Sequence, residues 1–173
     1  HTLGFSPVNG LIMGTRSGDI DQSIIFHLAK KFNYSLDEIN SLLQNKSGML
    51  GLTGFSDLRD IQAGAEKGNK DCKLALQMNA YRIKKYIGSY AAIMNGLDAI
   101  VFTAGIGENS PEMRQRVCED LDYLGIILDI NKNQVRPDKL TVVSTDASKV
   151  KVLVIPTNEE LEIAKQSMEL FEN

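Results

Sequence analysis

"AIVFTAGIGENSPEMRQRV", residues 99–117, decides the fold. Ala99, Ile100, Val101 and Phe102 form a short apolar run of the kind that reads as a buried strand. It stops abruptly at Thr103, and two glycines, an acid, an amide and a serine follow within seven residues. Ser110 sits where a helix cap belongs, and Pro111 occupies the first helical position, where its missing N–H costs nothing. Strand, glycine turn and capped helix in direct succession mark a sheet covered by helices. The glycines open backbone dihedrals closed to other residues and let a ligand approach with no Cβ in the way. N–H groups at the start of the next helix favour anions, and ligands of open α/β sheets sit beyond the carboxyl ends of strands. Residues 103–109 are therefore a candidate nucleotide site. A tight turn with no ligand has the same sequence pattern. The turn is neither a Rossmann fingerprint, lacking its third glycine, nor a Walker A loop, lacking Gly-Lys-Ser/Thr.

Outward from this stretch the pattern is consistent. Ile20, Ile24, Ile25 and Leu28 predict an amphipathic helix over 20–32, capped by Asp19 or Asp21. Ser35 with Glu38 three residues later forms a capping box, and Gly48 is expected to end that helix. A long helix is predicted from about Lys70 to Gly96, with Leu74, Met78, Tyr81, Ile83, Ile87, Ala91 and Met94 as its buried stripe. "DAIVFTAG", "GIILD", "KLTVVST" and "KVKVLVIP" read as strands, and "KNQVRPDK" as an exposed loop. A final helix carries Leu161, Ala164, Met168 and Phe171 at core spacing. Helices first, then alternating strands and helices, give an α/β or mixed sheet flanked by helices.

Composition narrows the function. The 173 residues suit one domain, and 43% hydrophobic with 24% charged residues supports a packed core. A net charge of -3 and few aromatics make a nucleic-acid partner a poor fit. Cys72 and Cys118 lie far apart and form no metal or disulfide pattern, which fits a reducing cytosol. No apolar run is long enough for a bilayer. "HTLGFSPVNG" does not read as a signal peptide, and His1 in place of Met is expected of a tag remnant or of a piece of a longer chain.

Two further stretches carry chemistry. "GLIMGTRSGDID", residues 10–21, holds Arg16 between Gly14 and Gly18. A guanidinium in a glycine-rich loop is shaped to clamp a phosphoryl or carboxylate group, although a surface arginine would read the same. "VIPTNEELEIA", residues 154–164, ends a strand and starts a helix at Thr157 or Asn158. Glu159 and Glu160 in its first turn complement the macrodipole, and a carboxylate there can also reach magnesium, directly or through water.

Together, "MGTRSGDID", "FTAGIGEN" and "VIPTNEE", with "KSGMLGLTGFSDLRDI" and "YRIKKYIGSYAAIMNGLDA" between them, closely resemble the carboxyl-terminal half of the acetate kinase family. The resemblance covers nearly the whole chain. It implies reversible phosphoryl transfer between ATP and acetate, giving ADP and acetyl phosphate, with Mg2+. It also implies a ribonuclease-H-like α/β fold of the acetate and sugar kinase, Hsp70 and actin superfamily, a mixed sheet incomplete at its N-terminal strands. Residues 1–173 would form the C-terminal nucleotide-binding domain. Residue by residue, Arg16 matches the catalytic arginine of the transferring phosphoryl group. Asp57, Leu58 and Arg59 match an adenosine-contacting triplet whose middle residue is often Phe. Gly105, Ile106 and Asn109 match the turn against adenine and ribose, where Asn109 offers both donor and acceptor. Glu159 matches the magnesium-associated glutamate.

The family's amino-terminal phosphate-binding stretches and its catalytic aspartate and histidines have no match here, and His27 reads as structural. The chain is therefore expected to be an enzyme fragment, cytoplasmic and inactive alone. Its expected partners are adenine nucleotide, a small carboxylate, the N-terminal half of the same enzyme and a second copy in a homodimer. Propionate kinase is the alternative within the family. A non-catalytic nucleotide-binding or dimerisation module is the alternative outside it.

Overall fold

Ser35 and Glu38 close a reciprocal cap: the Glu38 backbone N–H donates to the serine hydroxyl, and the Ser35 N–H donates to the Glu38 carboxylate at 2.8 Å. The computed structural model describes residues 1–172, in two compact units, His1–Ile93 and from Met94 onward.

The first unit is helical: α1 (Ser23–Phe32), α2 (Leu36–Asn45), α3 (Gly48–Thr53), α4 (Leu58–Glu66) and α5 (Lys70–Ile93). The first helix starts at Ser23 rather than Ile20, because Asp21 turns the chain by accepting from the Ser23 N–H at 2.8 Å. Gly48 does not end α2. It opens α3 in the left-handed region, at φ 60°. Helices α3 and α4 pack on α5. The buried face of α5 is Cys72, Ala75, Leu76, Asn79, Ala80 and Ala91. Of the predicted stripe only Ala91 is buried, and Leu74 and Tyr81 are 53% and 70% exposed. Small residues let α3 and α4 approach closely, so the face that packs is the one with the smaller side chains.

The second unit holds β1 (Ala99–Phe102), α6 (Ala104–Asn109), α7 (Pro111–Cys118), β2 (Thr141–Val142), β3 (Lys151–Val154) and α8 (Glu159–Glu172). The sheet is mixed, in the order β1-β3-β2, with β1 parallel and β2 antiparallel to β3. Central β3 buries Val152 and Val154 completely. The β1 strand is not buried as expected, since Val101 is 48% exposed. "GIILD" makes only isolated bridges at Ile126 and Leu128. "KLTVVST" pairs as a strand at Thr141–Val142 alone. The "KNQVRPDK" stretch hides Asn133, which is fully buried. The apolar residues of α8 are exposed, Phe171 at 90%.

Both cysteines are buried, and neither forms a disulfide among the described residues. No described helix is long and apolar enough to cross a membrane. The mixed α/β architecture with a small helix-flanked sheet is the fold class expected from the sequence.

Candidate functional site

In the second unit the carboxyl ends of the parallel strands β1 and β3 lie side by side. The Ile155 N–H donates to the Phe102 carbonyl at 3.0 Å, and the Thr103 hydroxyl donates to the Ile155 carbonyl at 2.8 Å. The chain leaving β1 does not run through a loop. Thr103 is the N-cap of α6, a helix of six residues containing Gly105, Ile106 and Asn109. The left-handed residue is Ala104, at φ 58°, and neither Gly105 nor Gly107 has positive φ. Dihedral freedom therefore explains neither glycine, and tight space explains only Gly107. A Cβ on Gly105 would meet nothing within 4 Å, whereas one on Gly107 would come 3.1 Å from the Phe102 carbonyl carbon. Gly107 lets α6 fold back on the end of β1, and Gly105 faces open space beside Ile106, itself 48% exposed.

The amide of Asn109 is engaged within the chain. Its Nδ2 donates to the Gly105 carbonyl at 2.8 Å, and its Oδ1 accepts from Arg136 Nε at 2.7 Å. Glu108, not singled out from the sequence, ties α6 to the end of β3. Its Oε1 accepts from the Thr157 N–H at 2.8 Å and from the Thr157 hydroxyl at 2.9 Å. Those two bonds hold its carboxyl below the usual glutamate range. Asn158 then caps α8, its side chain accepting from the Leu161 N–H at 2.9 Å. Glu159 follows as the first residue of α8, exposed, with Glu160 next. Glu108 thereby joins the glycine helix and the Thr157–Glu159 segment into one surface.

Beneath α6 lies Arg114, fully buried. Its Nη1 donates to the carbonyls of Gly107 and Glu108 at 2.8 and 2.9 Å. Its Nη2 donates to the carbonyls of Asn133 and Val135, and its Nε to Asn133 Oδ1 at 2.7 Å. Burial lowers its pKa from the ordinary arginine value. This one planar cation satisfies the terminal carbonyls of α6, which a short helix leaves without intrahelical partners. A signal for this residue was present in the sequence: Arg114 shares helical spacing with Val117, Cys118 and Leu121, all buried.

The first unit carries Arg16 and the 57–59 triplet. The loop from Gly10 to Asp19 is pinned at its ends. Asp19 Oδ1 accepts from the Gly10 N–H at 2.8 Å, and Oδ2 accepts from the Tyr86 hydroxyl at 2.6 Å and pairs with Arg82 at 3.3 Å. Burial raises the Asp19 pKa, but these hydrogen bonds and the Arg82 charge outweigh it and hold the carboxyl below its ordinary value. At the centre of the loop Arg16 is half-buried, and its Nη1 lies 3.7 Å from Met13 Sδ. Among the described residues it makes no ion pair, so its fork remains available to an external anion.

Asp57 caps α4 by accepting from the Arg59 N–H at 2.8 Å, and its carboxylate also receives the Arg59 guanidinium at 2.6 Å. These Arg59 hydrogen bonds push the Asp57 pKa down to about 2, so the carboxylate is charged at neutral pH. Leu58 opens α4 between them. Gly14 links the two segments, because a Cβ there would lie 3.1 Å from the Ser56 carbonyl.

The described residues include no group of three or more His, Cys, Asp or Glu placed to hold a metal. One exposed carboxylate such as Glu159 nonetheless fits magnesium, which keeps several waters and is bound by one or two carboxylates plus substrate phosphates.

A model of the acetokinase family matches residues 1–165. The acetate kinase of Flavobacterium johnsoniae is 64% identical over 99% of this chain, which spans 44% of that protein. The crystal structure of Porphyromonas gingivalis acetate kinase superposes with a TM-score of 0.91 at 44% identity, over 98% of this chain and 43% of that one. A propionate kinase from Francisella tularensis superposes at 0.87 with 40% identity, over 94% of this chain and 41% of its own. The chain spans under half the length of these relatives, and it belongs to the acetokinase family.

Proposed function

We propose that this chain forms the nucleotide-binding part of an acetate kinase. In that reaction an acetate oxygen attacks the γ-phosphorus of ATP. The bond from that phosphorus to the oxygen it shares with ADP breaks, and acetyl phosphate and ADP leave. The observation that carries this reading is the pairing of strand ends in the second unit, in a chain of this family. Parallel β1 and β3 deliver Gly105–Asn109 and Thr157–Glu159 to one surface, the usual ligand position of an open α/β sheet.

On this reading each residue has a separate task. Gly105 and Ile106 receive the nucleoside, Gly105 by leaving room for it. Asn109 fixes the last turn of α6 and, through Arg136, its neighbour. Asp57, Leu58 and Arg59 contact the adenosine from a capped helix start. Arg16 holds the phosphoryl group as charge spreads over its oxygens, in a loose transition state that needs positioning and electrostatics more than covalent help. Glu159 would hold magnesium directly or through water, and the ion would supply charge neutralisation at the phosphates. Propionate is the second acceptor to consider, given the likeness to the propionate kinase.

The test uses a complete chain in which residues 1–173 follow the amino-terminal part of the Flavobacterium johnsoniae enzyme. Arg16→Ala should lower kcat by about 10³-fold, with little change in nucleotide KM. Arg16→Lys should recover little, because a point charge lacks the planar fork. A near-normal kcat in Arg16→Ala would overturn the assignment. Comparing kcat/KM for acetate and propionate in the unmodified chain decides the acceptor.

A further inference from the structure

We propose that Gly48 is a positioning residue for Arg16, a role that rests on the phosphotransfer reading above. Nothing about Gly48 stands out in the sequence beyond a possible helix end. In the structure it is buried and lies where the Arg16 loop meets the first turn of α3. The loop is seated there mainly by backbone bonds, with the Thr15 hydroxyl donating to the Gln44 carbonyl at 2.9 Å. The N–H groups of Ser47, Met49 and Leu50 donate to the carbonyls of Thr15, Met13 and Gly14, at 2.9, 2.9 and 2.8 Å. The loop closes on itself through the Met13 N–H and the Arg16 carbonyl at 3.2 Å, and the Ser17 N–H donates to the Leu43 carbonyl at 3.0 Å. The carbonyls of residues 13–15 take up donors that the start of a helix leaves without partners.

This seating requires that residue 48 have no side chain. A Cβ there would lie 2.2 Å from the Met13 carbonyl oxygen, 2.5 Å from the Arg16 carbonyl oxygen and 3.1 Å from the Arg16 backbone nitrogen. All three atoms are backbone, so no rotamer change relieves the overlap. Residue 48 also has φ 60°, which an L side chain rarely adopts. An alanine must therefore push the loop off α3 and carry the Arg16 backbone with it. Among the described residues the guanidinium has no ion pair to restore its position. Gly48 thus acts on the phosphoryl group through Arg16, without touching it.

Gly68 provides the control. It has φ 91°, and a Cβ on it would meet nothing within 4 Å, so alanine there costs left-handed strain without a clash. Two measurements are made. In the 173-residue chain, amide hydrogen exchange should show that Gly48→Ala removes protection at Ser47, Met49 and Leu50, while Gly68→Ala leaves it intact. In the complete chain, Gly48→Ala should lower kcat by about 100-fold with nucleotide KM nearly unchanged, the scale expected of a misplacement near 1 Å. Gly68→Ala should leave kcat as it was. Retained protection in Gly48→Ala, or equal kcat in the two variants, overturns the inference. Lost protection with normal kcat overturns its functional half. An inactive unmodified complete chain instead overturns the phosphotransfer reading, and the exchange result still decides the seating.

Discussion

A methyl group on Gly105 would meet no atom within 4 Å, and one on Gly107 would press on the backbone of Phe102 at 3.1 Å. Two glycines of one short helix should therefore respond to substitution in opposite ways. Gly105→Ala should stabilise the fold by up to about 0.5–1 kcal/mol, because alanine is the better helix former. Gly107→Ala should destabilise it by about 1 kcal/mol, because β1 cannot yield without disturbing its pairing with β3. Denaturant titration measures both. In the complete chain Gly105→Leu should raise the nucleotide KM, and an unchanged KM would leave the site only a helix. Glu159 and Glu160 offer a second contrast. One helical position turns a side chain about 100°. Glu159→Gln should raise the magnesium concentration needed for half-maximal turnover, and Glu160→Gln should not. Equal effects would mean that both acids serve only the helix dipole. The sequence made Gly105 and Asn109 visible as candidates through their place between strand and cap, and Glu159 through its place just after a cap. It could not separate packing from approach at the two glycines, since that depends on what lies within 4 Å of each.

Helix α6 is held from below by one side chain. Arg114 spends its donors on carbonyls and an amide oxygen. Lysine keeps the charge but not the planar fork, and its ammonium cannot reach carbonyls in several directions at once. Arg114→Lys should cost about 3 kcal/mol or more of stability, read from denaturant unfolding of the second unit, because buried acceptors lose partners. A change under about 0.5 kcal/mol, the range of ordinary surface substitutions, would contradict this structural role. At this scale the sequence was informative where chemistry is local. The Ser35–Glu38 box and the Ser110–Pro111 start are both present. It was less informative where tertiary contact decides. The stripe that periodicity predicts for α5 follows the large apolar residues, whereas the helix that α3 and α4 pack on buries Cys72, Ala75, Leu76, Asn79, Ala80 and Ala91. The long predicted strands shortened for the same reason, since a strand extends only as far as its neighbour pairs with it.

The candidate residues divide between the two units. The first holds Arg16 and the capped 57–59 triplet, and the second holds the paired strand ends with Gly105, Asn109 and Glu159. Hydrophobic periodicity marks apolar stripes on α1, α5 and α8, and those stripes are largely uncovered among the described residues. Phe26, Tyr81, Leu170 and Phe171 remain exposed in the described structure. The chain spans under half the length of the acetate kinases it matches. The most direct measurement is therefore acetyl phosphate formation from ATP, acetate and magnesium, assayed on residues 1–173 alone and on the complete chain. Residues 1–173 alone should show no turnover and the complete chain clear turnover, reduced to about one part in 10³ by Arg16→Ala. Turnover by residues 1–173 alone, or an inactive complete chain, would contradict the phosphotransfer role proposed for this chain.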